Sequence, residues 1–425
     1  MDPAPNRRSF LSRDLPPVVV VGSGLAGLSC AGELTRHSHD VLVLESADDI
    51  GGRVRTDIVN GFRCDRGFQV YLTSYPEPRR RLDHDALQLG RFSAGSLIQT
   101  ETGLQRLADP WREPRHAVAT LRSHVGSFAD KLRIARLRSA ARRFRSDVQS
   151  VADHPSIQEL QARGFSPQII DRFFRPFMGG IFLDQELVTS ARMLMFTFGM
   201  FADGDASLPA NGMGAIPMQL AAPLPKGAVR LNTQVTRVAP LAVETASGER
   251  IEALAVVVAA DEPQAATLTG SAVIGRPRGS TTVYFTALED PIGEPTLVLN
   301  GSGGGQINSV TCLTAAQPSY SSDGRALISV ALKAMSDADD VTLTKELRRE
   351  LSGWFSNAVH WQFLRRYDVP YSLPDQSAGT NRPAALRRDD ELIVCGDHRS
   401  FGSIHHAMVS GREAAEVCLR SIANA

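Results

Sequence analysis

The chain has 425 residues, 46 basic and 46 acidic side chains, and 43% hydrophobic residues. Zero net charge leaves no electrostatic footprint for nucleic acid, and no stretch approaches the roughly 20 consecutive apolar residues of a membrane-spanning helix. Five cysteines with no CxxC or Cys/His pairing exclude a redox dithiol and a cysteine-based metal centre, so no metal is expected; the length suits two packed domains of a protein expected to be cytoplasmic.

Residues 1–15 read as a proline-containing flexible leader. Asn6-Arg7-Arg8-Ser9-Phe10-Leu11 resembles a twin-arginine export signal, but the only apolar stretch behind it is the start of the fold itself. Val18 to Val21 predicts a buried strand. It runs into Gly22-Ser23-Gly24-Leu25-Ala26-Gly27, the spacing of a dinucleotide-binding turn. Gly22 permits the turn, Gly24 lets backbone approach a pyrophosphate, and Gly27 lets the next helix pack on the sheet. The helix opening near Leu25 aims its free N–H groups at the phosphates. Val41 to Leu44 predicts the second parallel strand, ending in Glu45, expected on a ribose with Ser46 beside it. Gly51-Gly52-Arg53 adds a second glycine turn and a cation for a longer cofactor.

Beyond Tyr75-Pro76-Glu77-Pro78 a charge-rich, mainly helical region is expected. Residues 131–148 combine Lys131, Arg133, Arg136, Arg138, Arg142, Arg143 and Arg145 with the stripe Ile134, Leu137, Ala141, Phe144 and Val148. Such a helix either packs its stripe on the fold, the favoured reading, or lies on an anionic membrane as a peripheral contact. Phe173, Phe174, Phe177 and Met178 are expected either to line an apolar pocket or to fill core. Short strands are predicted at Val229 to Leu231, Val235 to Val238 and Ala253 to Ala260. Gly301-Ser302-Gly303-Gly304-Gly305 reads as a hairpin tip, since no helix pattern follows it.

Val18 to Thr56, Asp65-Arg66-Gly67-Phe68-Gln69, and Leu392 to Arg412 with Gly396-Asp397 and Gly402-Ser403-Ile404-His405-His406-Ala407 together resemble the FAD-dependent amine oxidase, protoporphyrinogen oxidase and phytoene desaturase superfamily. The resemblance implies an α/β fold: a Rossmann-like FAD-binding domain of residues 16–75, 226–275 and 385–425, with an interleaved α+β substrate domain, a mixed sheet plus helices, of residues 76–225 and 276–384. It implies that Val235 meets the adenine, Ala260 lies near the cofactor, Gly396 and Asp397 bind its ribityl or pyrophosphate part, and Ser403 and Ile404 meet the flavin from a helix N-terminus. Leu208 to Pro217 is similar to the family's Pro-x-Gly-Gly-Met segment, with Asn211 replacing a glycine.

Amine oxidases of the family carry a lysine near the flavin and an aromatic cage. Here the corresponding strand reads Ser280-Thr281-Thr282-Val283-Tyr284-Phe285, and Ser403 stands where the cage tyrosine is expected. Both departures favour the porphyrinogen oxidase and desaturase branches, which Tyr367 to Pro374 also resembles. The expected activity is dehydrogenation of a mainly apolar small molecule by hydride transfer to flavin N5, with oxygen, a quinone or another acceptor taking the electrons. Alternatives are an amine oxidase releasing peroxide, a flavin-dependent polyene isomerase and a non-catalytic FAD-binding protein. Tyr71 and His405 are the candidate catalytic side chains.

Overall fold

The computed structural model describes residues 15–144, 150–380, 386–388 and 391–424. The leader expected at 1–15 thus lies outside the described residues except for Leu15, as do Arg145 and Val148 of the basic segment.

A five-stranded parallel sheet organises both chain ends. Its order is Val229–Arg230, Val41–Leu44, Val18–Val21, Ala255–Val258 and Ile393–Val394. Val18, Val19 and Val20 are fully buried, as an apolar run without alternation requires in a sheet covered on both faces. The Leu25–Arg36 helix and the C-terminal Ile404–Ala423 helix pack against one another beside this sheet. Their approach is close: a Cβ on Gly411 would come within 2.0 Å of the Ala26 carbonyl oxygen. An antiparallel meander of Val235–Ala239, Ala242–Thr245 and Arg250–Glu252 lies between two strands of the sheet in the chain.

The second sheet has seven strands in the order Gln362–Leu373, Arg278–Ala287, Ala326–Leu332, Ile307–Cys312, Leu297–Asn300, Gly95–Thr100 and Gly103–Ala108. It is antiparallel except where Leu297–Asn300 runs parallel to Gly95–Thr100. Alternation divides its faces. Val283, Phe285, Ile328 and Val330 pack with Leu343, Leu347 and Leu351 of the Asp340–Leu351 helix, while Tyr284, Leu299 and Leu327 join the large core shared with the helices of residues 117–203. Gly301 to Gly305 connects two antiparallel strands of this sheet, the hairpin expected.

The expectation of a mainly helical region after residue 76 needs correction. The hairpin 95–108 within it turns at Glu101-Thr102, with Gly103 just beyond at φ 99°, and adds two strands to the second sheet. Gly90–Arg91 and Ala206–Leu208 form a small sheet with Tyr71–Leu72, and helices dominate elsewhere, including Phe128–Phe144 and Ala191–Asp203, which pack together. That packing takes Leu137 and Ala141 of the stripe fully out of solvent against the fold, while Phe144 at the helix end is 37% exposed.

Gly411→Val is expected to force the two long helices apart, costing about 1–3 kcal/mol. Thermal unfolding should show a lowered midpoint.

Candidate functional site

The glycine turn forms as its spacing predicts. Gly22 has φ 105°, and a Cβ there would sit 2.9 Å from the Ala259 carbonyl oxygen, while one on Gly27 would sit 2.0 Å from the Gly22 oxygen. A Cβ on Gly24, by contrast, would meet no atom within 4 Å. The turn is therefore closed against sheet and helix but open at Gly24, the cradle a diphosphate needs. Leu25–Arg36 begins at Gly24 with no side-chain cap and no acid in its first turn, which leaves the positive helix end for an anion. Leu25 and Ala26 are buried behind it.

Ser23 ties the turn to the end of the second strand. Its N–H and hydroxyl both donate to one oxygen of buried Glu45, at 2.8 and 2.7 Å, and its carbonyl accepts from Gly51 N–H at 2.9 Å. These bonds hold the carboxylate at the end of the second strand and bring the two glycine turns together. The other Glu45 oxygen accepts from Ala47 N–H at 2.9 Å and from the Ser46 hydroxyl at 3.4 Å. Thr233 N–H donates to the Glu45 carbonyl at 2.7 Å, which places Val235 two residues away on the same side.

The far end of the chain arrives through an ion pair. Arg53 meets both oxygens of Asp397, at 2.7 and 2.9 Å, and also donates to the Ser372 carbonyl at 2.8 Å. Asp397 is only 5% exposed. Burial opposes the Arg53 charge, but the Asp397 carboxylate outweighs it and holds the guanidinium protonated. Gly396 sits at φ 150° beside Ala260, the carbonyl of Ala260 lying 3.6 Å from where its Cβ would be. Ser403 caps the C-terminal helix: its hydroxyl accepts from His406 N–H at 3.1 Å and contacts His406 Nδ1 at 2.8 Å. A tyrosine could not make this short cap, so the residue that departs from the amine oxidase pattern instead fixes the helix N-terminus and Ile404 beside it. Gly402 N–H donates to Gln376 Oε1 at 2.9 Å, and Gln376 Nε2 is buried without a protein partner.

The two candidate catalytic side chains do not join this group. Tyr71 is fully buried, its hydroxyl 2.8 Å from His84 Nε2. Phe68 and Val70 line a cavity, whereas Tyr71 lies in the core. His405 stacks on Tyr75 and Phe196 at centroid distances of 5.8 and 5.4 Å, and its Nδ1 accepts from Glu77 N–H. Burial, then the Arg412 and Arg80 charges, pull it down to about 4, so it is neutral at pH 7.

That cavity, of about 350 Å³, was legible only in part. Phe173 and Phe177 line it, whereas Phe174 and Met178, one residue on, are fully buried core; both readings of that segment hold, on adjacent helix faces about 100° apart. Phe68, Val70, Trp111, Phe198 and Phe201 complete much of the wall. Gln69, between two lining residues, donates to the Arg53 carbonyl at 2.8 Å, which ties the cavity floor to the glycine-turn cleft. Phe68 N–H donates to the Thr282 hydroxyl at 3.1 Å, on the strand that carries no lysine. Among the described residues no group of three or more His, Cys, Asp or Glu could hold a metal ion, and all five cysteines are buried and free.

A family model for flavin containing amine oxidoreductases matches residues 25–419. The chain belongs to the flavin-containing amine oxidoreductase family. It is 28% identical over 163 residues to protoporphyrinogen oxidase 2 of Arabidopsis thaliana, covering 38% of this chain and 32% of that protein. Identity is 30% over 173 residues with a coproporphyrinogen III oxidase of Mycobacterium tuberculosis, covering 38% and 36%. These matches span about a third of each relative's length. A shorter match, 52% over 52 residues, links it to polyamine oxidase 2 of Arabidopsis thaliana and covers 12% and 11%. Among solved structures, an oxidoreductase from Methanosarcina mazei has a TM-score of 0.73 at 16% identity, covering 94% of this chain and all of that one. A putrescine oxidase has a TM-score of 0.72 at 15% identity, covering 96% and 99%. Such identities speak for the fold.

Two outcomes follow from the geometry. Arg53→Ala leaves the Asp397 carboxylate buried without this cation and is expected to cost about 2–4 kcal/mol in chemical denaturation, with Asp397→Asn in the same chain restoring part of the loss. The second concerns pH. His405 is neutral when folded and protonates near about 6.5 when unfolded, so between that value and about 4 the unfolded chain binds more protons and stability falls as pH drops. Melting temperatures measured across this window should fall less steeply in His405→Gln.

Proposed function

We propose that the protein dehydrogenates a mainly apolar organic molecule held in the aromatic cavity. FAD, when bound, supplies the two-electron acceptor for a substrate C–H bond, and oxygen, a quinone or another acceptor takes the electrons onward. Segments 16–75, 226–275 and 385–425 form its FAD-binding part in this reading, and 76–225 with 276–384 the substrate part. Gly22, Gly24 and Gly27 with the Leu25 helix end receive the pyrophosphate, with Gly51 and Gly52 against it. Glu45 receives the adenosine ribose, Val235 the adenine, and Arg53, Ala260, Gly396 and Asp397 the central part of the cofactor. The capped helix end at Ser403 and Ile404 faces the flavin and stabilises the negative charge that reduction develops there.

The observation that carries the substrate class is the cavity wall. Its charged members are Asp109, Arg112, Lys131 and Arg138, and Asp109 is committed to Arg138 at 2.9 Å. Arg112 is likewise paired, with Asp205, so a protonated amine entering the cavity would find the Lys131 ammonium and no uncommitted carboxylate, whereas an apolar molecule gains from each aromatic surface it covers. The chain's residues position and desolvate the substrate; with His405 neutral and stacked, the reading assigns no side chain as a base. Two of the relatives are named as oxidases of a porphyrinogen, which puts porphyrinogens among the candidate substrates.

Anaerobic mixing of the FAD-loaded protein with porphyrinogens, polyenes and primary or polyamines tests this. Bleaching of the flavin band by an apolar compound is the expected result. Bleaching by amines alone would overturn it, and an unchanged substrate mass after turnover would indicate isomerisation. Phe177→Asp is expected to raise the KM for the apolar substrate at least about tenfold, because a charge in the wall opposes burial of apolar surface.

A further inference from the structure

The cavity opens beneath a surface unlike the rest of the molecule. Trp111, Leu121, Phe128 and Leu132 line its outer end and are themselves 62%, 55%, 63% and 48% exposed. Val118 adds a further exposed apolar side chain, 57% accessible, on the Ala117–Arg122 helix beside them. Residues 111–144 hold six of the seventeen large apolar side chains exposed among the described residues, including every exposed aromatic one. Isolated exposed apolar residues are ordinary; a cluster around a cavity mouth is not.

Charge sets this surface apart as well. The same 34 residues carry nine Lys or Arg against two Asp or Glu, in a chain whose net charge is zero. Both acids are occupied: Glu113 pairs with Arg115, and fully buried Asp130 accepts from Ser127, Ser166 and Arg133. Of the nine cations, Arg112 pairs with Asp205, Arg115 with Glu113, Arg138 with Asp109 and Arg142 with Asp203, while Arg122, Arg136 and Arg143 are exposed without an ion-pair partner among the described residues. The Arg138 guanidinium lies 5.3 Å from the centre of the Trp111 ring and steadies it at the rim.

We propose that this rim docks on an anionic lipid bilayer, so that an apolar substrate passes from the membrane into the cavity without crossing water. Exposed tryptophan, phenylalanine and leucine bury into the interfacial region, and the surrounding arginines meet anionic headgroups. The docking residues are not the stripe expected from sequence, for Leu137 and Ala141 are buried against the fold. They come from the Phe128 end of that helix, the preceding short helix and the Trp111 loop. No helix among the described residues is long and apolar enough to cross a membrane, so the contact is peripheral. The inference rests on the reading of the cavity as an apolar substrate site.

The test is sedimentation of the FAD-loaded full chain, without substrate, in the presence of vesicles of phosphatidylcholine alone or of phosphatidylcholine with phosphatidylglycerol. The protein is expected to sediment with the anionic vesicles, less so as salt is raised. A Phe128→Asp, Leu132→Asp double variant should lose about tenfold in partition coefficient while its retained flavin absorbance shows that it is folded. Val118→Asp should weaken binding in the same direction. Failure of the wild type to sediment, or equal sedimentation of the double variant, overturns the proposal. So does a wild-type dimer, seen by light scattering without vesicles, that the double variant abolishes, because the rim would then be an interface between copies. Vesicle binding by a protein that no apolar compound reduces would overturn the substrate reading and leave the docking intact.

Discussion

Close backbone approach at a few glycines is the constraint on which the rest of the structure depends. A diphosphate is bound by bare N–H groups only if no side chain stands between, and here the clearances differ sharply. Gly27 and Gly411 each have a carbonyl oxygen 2.0 Å from where a Cβ would be, whereas the space at Gly24 is empty. The first two contacts lock the Leu25–Arg36 helix to the turn and the Ile404–Ala423 helix to that helix. With both helices fixed, their N-termini are fixed as well, and in the proposed function they serve as dipoles toward one cofactor, with no lysine needed to hold its phosphates.

The second organising contact is the Arg53–Asp397 pair, which joins residues 344 apart in sequence. A partly buried pair of this kind contributes little net stability but specifies geometry, because either charge alone would be costly in that position. Arg53 also binds the Ser372 carbonyl and receives Gln69 through its own, so one side chain and its backbone connect the cofactor cleft, the second sheet and the floor of the aromatic cavity. Chemistry at a flavin demands that kind of continuity: the cofactor and the substrate wall must be held relative to each other if a C–H bond is to be aligned without a side-chain base.

The residues that depart from the amine oxidase pattern have structural uses here. Ser403 caps a helix, and Thr282 receives the Phe68 N–H. Each fixes a neighbouring segment, and Phe68, held by Thr282, lines the aromatic cavity. Tyr71 and His405 were plausible as reactive groups because of where they fall in the chain, yet their side chains point into packed aromatic surroundings. Chain position alone does not reveal side-chain direction; in a strand one residue reverses it, and at a helix start neighbouring packing decides it.

What the sequence determined by itself was local. The glycine spacing, the apolar strands before and after it, Glu45, and the Gly51-Gly52-Arg53 turn each express a requirement met within a few residues, so the cofactor class and the parallel sheet could be read directly. The C-terminal segment was legible through its resemblance, and the helix stripe through its period. Only the tertiary structure decided which face of that helix is buried, that residues 95–108 add strands to the second sheet, that Ser23 serves Glu45, and that Phe173 and Phe177 face a cavity while Phe174 and Met178 fill the core. Trp111, Leu121 and Phe128 carry no periodic signal together, for they lie on a loop and two helices. Those outcomes depend on contacts between distant segments, where burial is a property of the assembled fold and not of any stretch of chain.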